Sequence, residues 1–221
     1  MTTGNTAAMT VSQASMATAP KESDCKELEK NNDDRRGHVE ENSADKRLVN
    51  KNGMEDQEGT TISSCKFQPT GGDTATCASA HSSGRAHEMF PSRFVEGGGE
   101  EVRSGDAPVM CSEDKTHKPP YKQKSGHAEA RIFDALGSAK GMKMVFKIDW
   151  RPGSGGRSNL PCPACQRLMC IAMNECKHEI WLCDDDNEPQ KLTQKECGAD
   201  ENSNITEGAR LSLEKKMGAV I

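Results

Sequence analysis

Large apolar side chains are confined to one part of this chain, and that confinement limits where a core can form. No Phe, Trp or Tyr precedes Phe67. Aromatics make up 4% of the 221 residues and hydrophobic residues 33%, below the share expected of a uniformly folded chain. Phe133, Phe146, Trp150, Trp181 and most of the apolar runs fall within 119–221. Because such side chains anchor a core, the sequence predicts one compact domain behind a polar leader. Residues 1–20 are rich in Thr, Ala, Ser and Met, and 21–60 in Lys, Glu, Asp, Asn and Arg. Low hydrophobicity with dense charge is the signature of disorder. Ser, Thr and Gly dominate 61–88. The expected division is a disordered leader over 1–88 and a folded domain over 89–221, with its core at about 89–185. A helix over Lys26–Arg36 has no apolar stripe to bury.

Within the expected domain the periodicities change in order. Ser92 to Ser104 holds two short alternating runs joined by glycines, a hairpin signal. Pro119 and Pro120 mark a loop over 115–126. In HAEARIFDALG, Ala128, Ile132, Ala135 and Leu136 recur at helical spacing and Gly137 is a stop. MKMVFKIDW alternates Met144, Phe146, Ile148 and Trp150 against Lys143, Lys147 and Asp149, which predicts a strand. A glycine-rich loop leads into PCPACQRLMCIAMNEC, a helix with Pro163 in its first turn and Cys165, Leu168, Met169, Ala172 and Cys176 on its apolar face. His178–Asp184 reads as a short strand. The tail after 185 is polar, with a weak helical stripe over Gly208–Met217. Strands alternating with helices imply a sheet with helices packed on it.

Charge is as uneven as hydrophobicity. The net charge is −5, yet 119–178 carries 10 Lys and Arg against 4 Asp and Glu. A basic segment of that kind suits a phosphate-bearing partner, although it is equally an ordinary solvated surface. The ten cysteines could form a disulfide framework. The first residues show no basic segment followed by an apolar run, however, so no signal peptide is expected. No stretch reaches the roughly 20 apolar residues of a membrane span. The expectation is therefore a reducing compartment: cytoplasmic, or secreted by a route that needs no signal peptide and acting in a target-cell cytoplasm. On this reading Cys170, Cys176 and Cys183 are small buried hydrophobes, and Cys25, Cys65, Cys77 and Cys111 have no role. His38, His81, His87, His117 and His178 are expected at the surface, and Asn204-Ile205-Thr206 is a chance match to a glycosylation acceptor.

Chemistry concentrates at the starts of the two expected helices. His127-Ala128-Glu129 opens the first and Pro161-Cys162-Pro163-Ala164-Cys165 the second. H-x-E alone is common, and C-x-x-C alone occurs in redox, zinc and iron–sulfur proteins. Together, with a strand between them, they match the H-x-E…P-C-x-x-C signature of zinc nucleobase deaminases. Two thiolates three residues apart can reach one ion from one helix turn. A helix N-terminus favours thiolate over thiol. His127, Cys162 and Cys165 are three protein ligands, which leaves a fourth tetrahedral position open to water, as catalytic Zn2+ sites require. Glu129 sits where a proton shuttle that does not ligate the metal is needed.

These motifs resemble the cytidine deaminase-like superfamily, and HAEARIFDAL with a long loop before PCPAC looks most like the bacterial polymorphic-toxin deaminases. The resemblance covers roughly 88–185. It implies a three-layer α/β/α cytidine deaminase-like fold and hydrolytic deamination of cytosine or adenine, with cytosine to uracil in DNA or RNA as the leading expectation. His127, Cys162 and Cys165 match the metal ligands and Glu129 the catalytic glutamate. Nucleic acid is then the substrate, and a producing bacterium would need a cognate immunity protein. Trp150, Arg151, Arg157 and Pro161, on the strand end and loop entering the metal helix, are candidate substrate-binding residues: Trp150 for stacking on a base, the arginines for phosphates. Two other readings stay open, a deaminase of free nucleosides or nucleobases and a non-catalytic, zinc-stabilised binding module. Cys170 is a candidate fourth ligand for the latter.

Overall fold

The computed structural model describes residues 19–43, 61–69, 76–82, 92–95, 101–102, 127–136, 140–151, 157–202 and 204–218. In chain order these form α1 (Glu22–Ser43), β1 (Ile62–Pro69), β2 (Thr76–His81), β3 (Ser92–Val95), β4 (Glu101–Val102), α2 (Ala128–Leu136), β5 (Met142–Asp149), α3 (Pro163–Glu175), β6 (Glu179–Cys183), β7 (Pro189–Lys191), a 3-10 turn (Gln194–Cys197) and α4 (Glu207–Lys216). The strands make one sheet in the order β4-β3-β2-β1-β5-β6-β7. β5 and β6 are parallel, Val145 opposite Trp181, and the other neighbouring pairs are antiparallel. A parallel pair needs a crossover, and α3 supplies it, so β5-α3-β6 is a strand–helix–strand unit. The expected hairpin is β3-β4, and the expected order of hairpin, helix, strand, helix and strand is present.

β5 is buried on both faces, which its sequence pattern does not announce. Met144, Phe146 and Ile148 point into the main core with Ile132 and Phe133 of α2, Leu168, Met169 and Ala172 of α3 and Leu213 of α4. The rings of Phe133 and Phe146 lie 5.5 Å apart, centroid to centroid. On the other face Val145, Lys147 and Asp149 lie under α1. The inward residues of α1 are Cys25, Leu28, Asn32 and Arg36, all buried. Their spacing of three or four places them on one helix face. Four helix residues rise about 6 Å and two strand residues about 6.6 Å, so each turn of α1 meets one more alternate residue of β5. Leu28 packs in a small cluster with Val145 and Cys183. Asn32 Nδ2 donates to Lys147 O at 3.0 Å. Arg36 Nη2 donates to Asp149 Oδ2 at 2.8 Å, and Nε to the same oxygen at 3.1 Å. A Cys25–Cys183 disulfide ties the start of α1 to β6 across 158 residues.

The leader expected over 1–88 is thus corrected where the structure is described. α1 covers the sheet, and β1 and β2 are its central strands, paired from Ile62↔His81 to Phe67↔Thr76. Residues 1–18, 44–60, 70–75 and 83–88 of the expected leader lie outside the described residues, as do the 115–126 loop and 152–156. The core also extends past 185: Leu192, Cys197, Leu213 and Met217 join it. The helix expected over Gly208–Met217 is α4, although Leu211 of its proposed stripe is exposed. Thr206 of the acceptor-like Asn204-Ile205-Thr206 caps it, Oγ1 accepting from Ala209 N at 3.3 Å.

The cysteines need a further correction. Cys25 pairs with Cys183 and Cys170 with Cys197, and Cys176 is also in a disulfide. Cys170 and Cys176 do not pair with each other along α3. Cys170 finds its partner on another element, which spacing alone cannot show. Cys65, Cys162 and Cys165 remain thiols.

Two histidines expected at the surface, His81 and His178, are buried. His178 Nδ1 accepts the Met142 N–H at 3.0 Å, fastening the entry of β5. Burial lowers its pKa from 6.5 to about 4. The depressed folded-state value means that stability from this site is complete above 6.5 and is lost as pH falls through about 4. We expect the urea midpoint of the wild type to drop over that window, and His178→Asn, which cannot titrate there, to flatten the drop. Burial opposes the charge of Asp149, but Arg36, then Arg157 and Arg151, outweigh it and hold the carboxyl below its usual range. Arg36→Ala removes the most buried of the three guanidinium groups on that carboxylate, leaving Arg157 and Arg151, and should cost about 2 kcal/mol in urea unfolding of the oxidised chain. Arg151→Ala, at a half-exposed partner, should cost under about 1 kcal/mol.

Candidate metal centre

Two helix starts converge in this fold, and each presents chemistry through the way its first turn is made. His127 immediately precedes α2, its carbonyl accepting the Arg131 N–H at 3.0 Å. Cys162 is the N-cap of α3, with extended backbone (φ −63°, ψ 159°). Its Sγ takes the place of a capping oxygen and accepts the Cys165 N–H at 3.4 Å. Pro163 follows, at a position where a missing N–H costs nothing. The same turn brings both sulfurs to one imidazole: Cys162 Sγ and Cys165 Sγ each lie 3.3 Å from His127 Nδ1. The three donor atoms all lie within 4.8 Å of one another.

That donor set fits a zinc ion. With Zn–S near 2.3 Å and Zn–N near 2.0–2.1 Å, tetrahedral bonds separate sulfur from nitrogen by roughly 3.5 Å, close to the separations found. Cys162 is half-buried and Cys165 buried. The hydrogen bond from Cys165, aided by those from His127 and the Cys165 N–H, lowers the Cys162 thiol to about 4. The same Cys162 contact, then burial and the charge of Glu129, raise the Cys165 thiol well above its ordinary value. One thiolate and one thiol sharing a proton beside an imidazole is the chemistry of a site ready to take a cation and release protons.

Glu129 lies in the first turn of α2, 3% exposed. Its carboxyl lies close enough to His127, Cys162 and Cys165 to feel their charges and dipoles. Burial, then the negative charge of Cys162, push its pKa up. A carboxyl raised in this way is a better base than an ordinary glutamate. All four residues singled out by the H-x-E and C-x-x-C motifs therefore meet in one place.

The substrate-binding candidates are arranged differently. Trp150 is 40% exposed, and its backbone pairs with Ser158, N to O at 3.0 Å and 2.8 Å in the two directions. That bridge pins both ends of the loop leading to Cys162. Arg151 Nε and Arg157 Nε lie 3.3 and 3.1 Å from Asp149 Oδ1, and Arg157 Nη2 lies 3.3 Å from Glu29 on α1. The arginines are thus tied to the α1 network, with about a third of each side chain exposed. Pro161 is buried, and its carbonyl accepts from Arg210 Nη1 at 2.6 Å.

Arg210 was not singled out by its sequence. It reaches from α4 to the residue before the Cys162 cap, and to Gln166 Oε1 at 3.2 Å. Gln166 Nε2 in turn donates to Glu196 O at 2.8 Å. Burial opposes the charge of Glu196, but Lys216, Thr193 and Ser212 lower its carboxyl to about 2. Only the weak stripe of α4 could have pointed to this support. Comparison with protein-family models, curated proteins and solved structures finds no match for the chain.

One divalent metal ion per chain is expected by equilibrium dialysis of the purified protein. Cys162→Ser and Cys165→Ser should each abolish tight binding, while Arg210→Ala should retain one ion and weaken its affinity by about tenfold.

Proposed function

We propose that this chain is a zinc-dependent hydrolytic deaminase of a nucleobase, converting cytosine to uracil in nucleic acid. The observation that carries the reading is the convergence of His127, Cys162 and Cys165, with the buried Glu129 in the same helix turn as His127. In this reading the sheet with α1 on one face and α2, α3 and α4 on the other is the three-layer arrangement of a cytidine deaminase-like domain, elaborated by its own N-terminal helix.

Bound by those three side chains, zinc would supply Lewis-acid activation of a water molecule at neutral pH. The chain's own residues do the rest. Glu129 takes a proton from the attacking water and gives it to the ring nitrogen beside the carbon under attack. It then takes the remaining proton from the hydroxyl added at that carbon and delivers it to the departing amine, so the carbonyl forms as the C–N bond breaks and water and cytosine leave as uracil and ammonia. Burial helps, because it raises the pKa of the carboxyl and so makes Glu129 a stronger base toward the attacking water than an ordinary glutamate. Trp150 offers a partly exposed ring for stacking. Arg151 and Arg157, held by Asp149, present N–H groups to phosphates from a fixed platform.

The reading extends to a toxin-type effector with a cognate immunity protein, a part that rests on the motif resemblance alone. No described helix is long and apolar enough to cross a membrane.

Incubating the zinc-loaded chain with cytosine-containing single- and double-stranded DNA and RNA, and scoring uracil, tests the proposal. Uracil is expected with at least one of these substrates. Glu129→Gln should retain its zinc and lose at least about 10²-fold in rate. Turnover of cytidine alone would redirect the proposal to free nucleosides. A zinc-loaded chain inactive on all of these would overturn it.

A further inference from the structure

A C-x-x-C pair at a helix start, inside a parallel strand–helix–strand unit, is also the arrangement of a redox dithiol. The metal reading uses Cys162 and Cys165 as ligands without exhausting what two such sulfurs can do. Both sit against one nitrogen at 3.3 Å, and they lie within 4.8 Å of each other. A disulfide bond is about 2.05 Å long, so the two sulfurs must draw together to join, and they begin that approach from one helix turn. The Cys165 N–H already points at Cys162 Sγ. Exposure orders the two: Cys162 is half-buried, whereas Cys165 is 2% exposed. Cys25, Cys183, Cys170, Cys197 and Cys176 are already in disulfides, which leaves Cys65 as the other described thiol.

We propose that, in the metal-free chain, Cys162 and Cys165 are a redox-active dithiol that closes to a disulfide by exchange with a low-molecular-weight disulfide. Bound metal and the closed disulfide are then mutually exclusive states of the same sulfurs. The second statement rests on the metal reading; the first does not.

The exchange balances in two steps. Cys162 Sγ attacks one sulfur of the small disulfide, whose S–S bond breaks; one small thiol leaves and the other half remains bonded to Cys162. Cys165 Sγ then attacks Cys162 Sγ, the mixed disulfide breaks, the second small thiol leaves, and the Cys162–Cys165 bond forms. The chain is oxidised by two electrons and gives up two protons. The small disulfide is reduced by the same two electrons and leaves as two thiols. His127 stands beside both sulfurs throughout, and Glu129 beside Cys165, so the protons released have neighbours to receive them.

The test uses the full chain with its structural disulfides intact, zinc-loaded or stripped by a chelator, exposed to oxidised glutathione, alkylated and mapped by mass spectrometry. The stripped chain is expected to yield a Cys162–Cys165 cross-linked peptide. At free zinc about ten times its Kd, closure should slow about tenfold. Cys165→Ser should trap glutathione on Cys162, and Cys65→Ser should leave closure unchanged. Both thiols still open to alkylation in the stripped wild type, or glutathione retained on each, would overturn the dithiol while leaving the metal reading intact. Closure at the same rate with and without zinc would uphold the dithiol and overturn the exclusion, and with it the metal reading.

Discussion

The fold depends on one buried ion pair that lets a polar helix cover a sheet. Helix α1 presents Cys25, Leu28, Asn32 and Arg36 inward, and half of that stripe is polar. Hydrophobic burial alone would not hold it. Arg36 on Asp149, Asn32 on the Lys147 carbonyl and the Cys25–Cys183 bond supply the rest. The cost of burying Asp149 is offset because three guanidinium groups face it. Lys147, also buried, is satisfied by Asp184 O at 2.7 Å and Asn187 Oδ1 at 2.8 Å. Such an interface tolerates little editing, since removing Asp149 strips the buried Arg36 of its carboxylate, and removing Arg36 leaves Asp149 to the two more exposed guanidinium groups of Arg151 and Arg157.

The same strand joins this interface to the candidate centre. β5 ends at Asp149, and the chain then runs through the Trp150–Ser158 bridge to the Cys162 cap. Covalent continuity over these few residues means that the network under α1 and the metal ligands share one strand end. α4 holds the far side of the loop through Arg210 and Pro161. The ligand-bearing turn is thus fixed from two directions, which suits a site whose donors must stay within a few tenths of an ångström of a metal's demands.

What could be read from the sequence follows from the range of each signal. The H-x-E and C-x-x-C motifs are local: helix-start spacing alone sets His127 beside Glu129 and Cys162 beside Cys165, and a strand between them leaves few ways to pack the two starts apart. α2, β5, α3 and β6 carry ordinary apolar periods and were legible for that reason. α1 was not, because Asn32 and Arg36 look like solvent residues until Lys147 and Asp149 are placed opposite them. The same blind spot hid the buried half of β5. Cys25–Cys183 and Cys170–Cys197 join positions 158 and 27 residues apart, and no spacing rule pairs them. His178 read as a surface residue because its acceptor role depends on a backbone N–H from another element.

The Cys25–Cys183 bond has a topological consequence. The chain between them, which includes β1, β2, α2, β5, α3 and all three candidate ligands, is a closed covalent ring. A single peptide-bond cut anywhere inside that ring opens it without dividing the molecule. Such a nicked chain would keep α1 tethered to β6 and would come apart into two fragments only under a reductant.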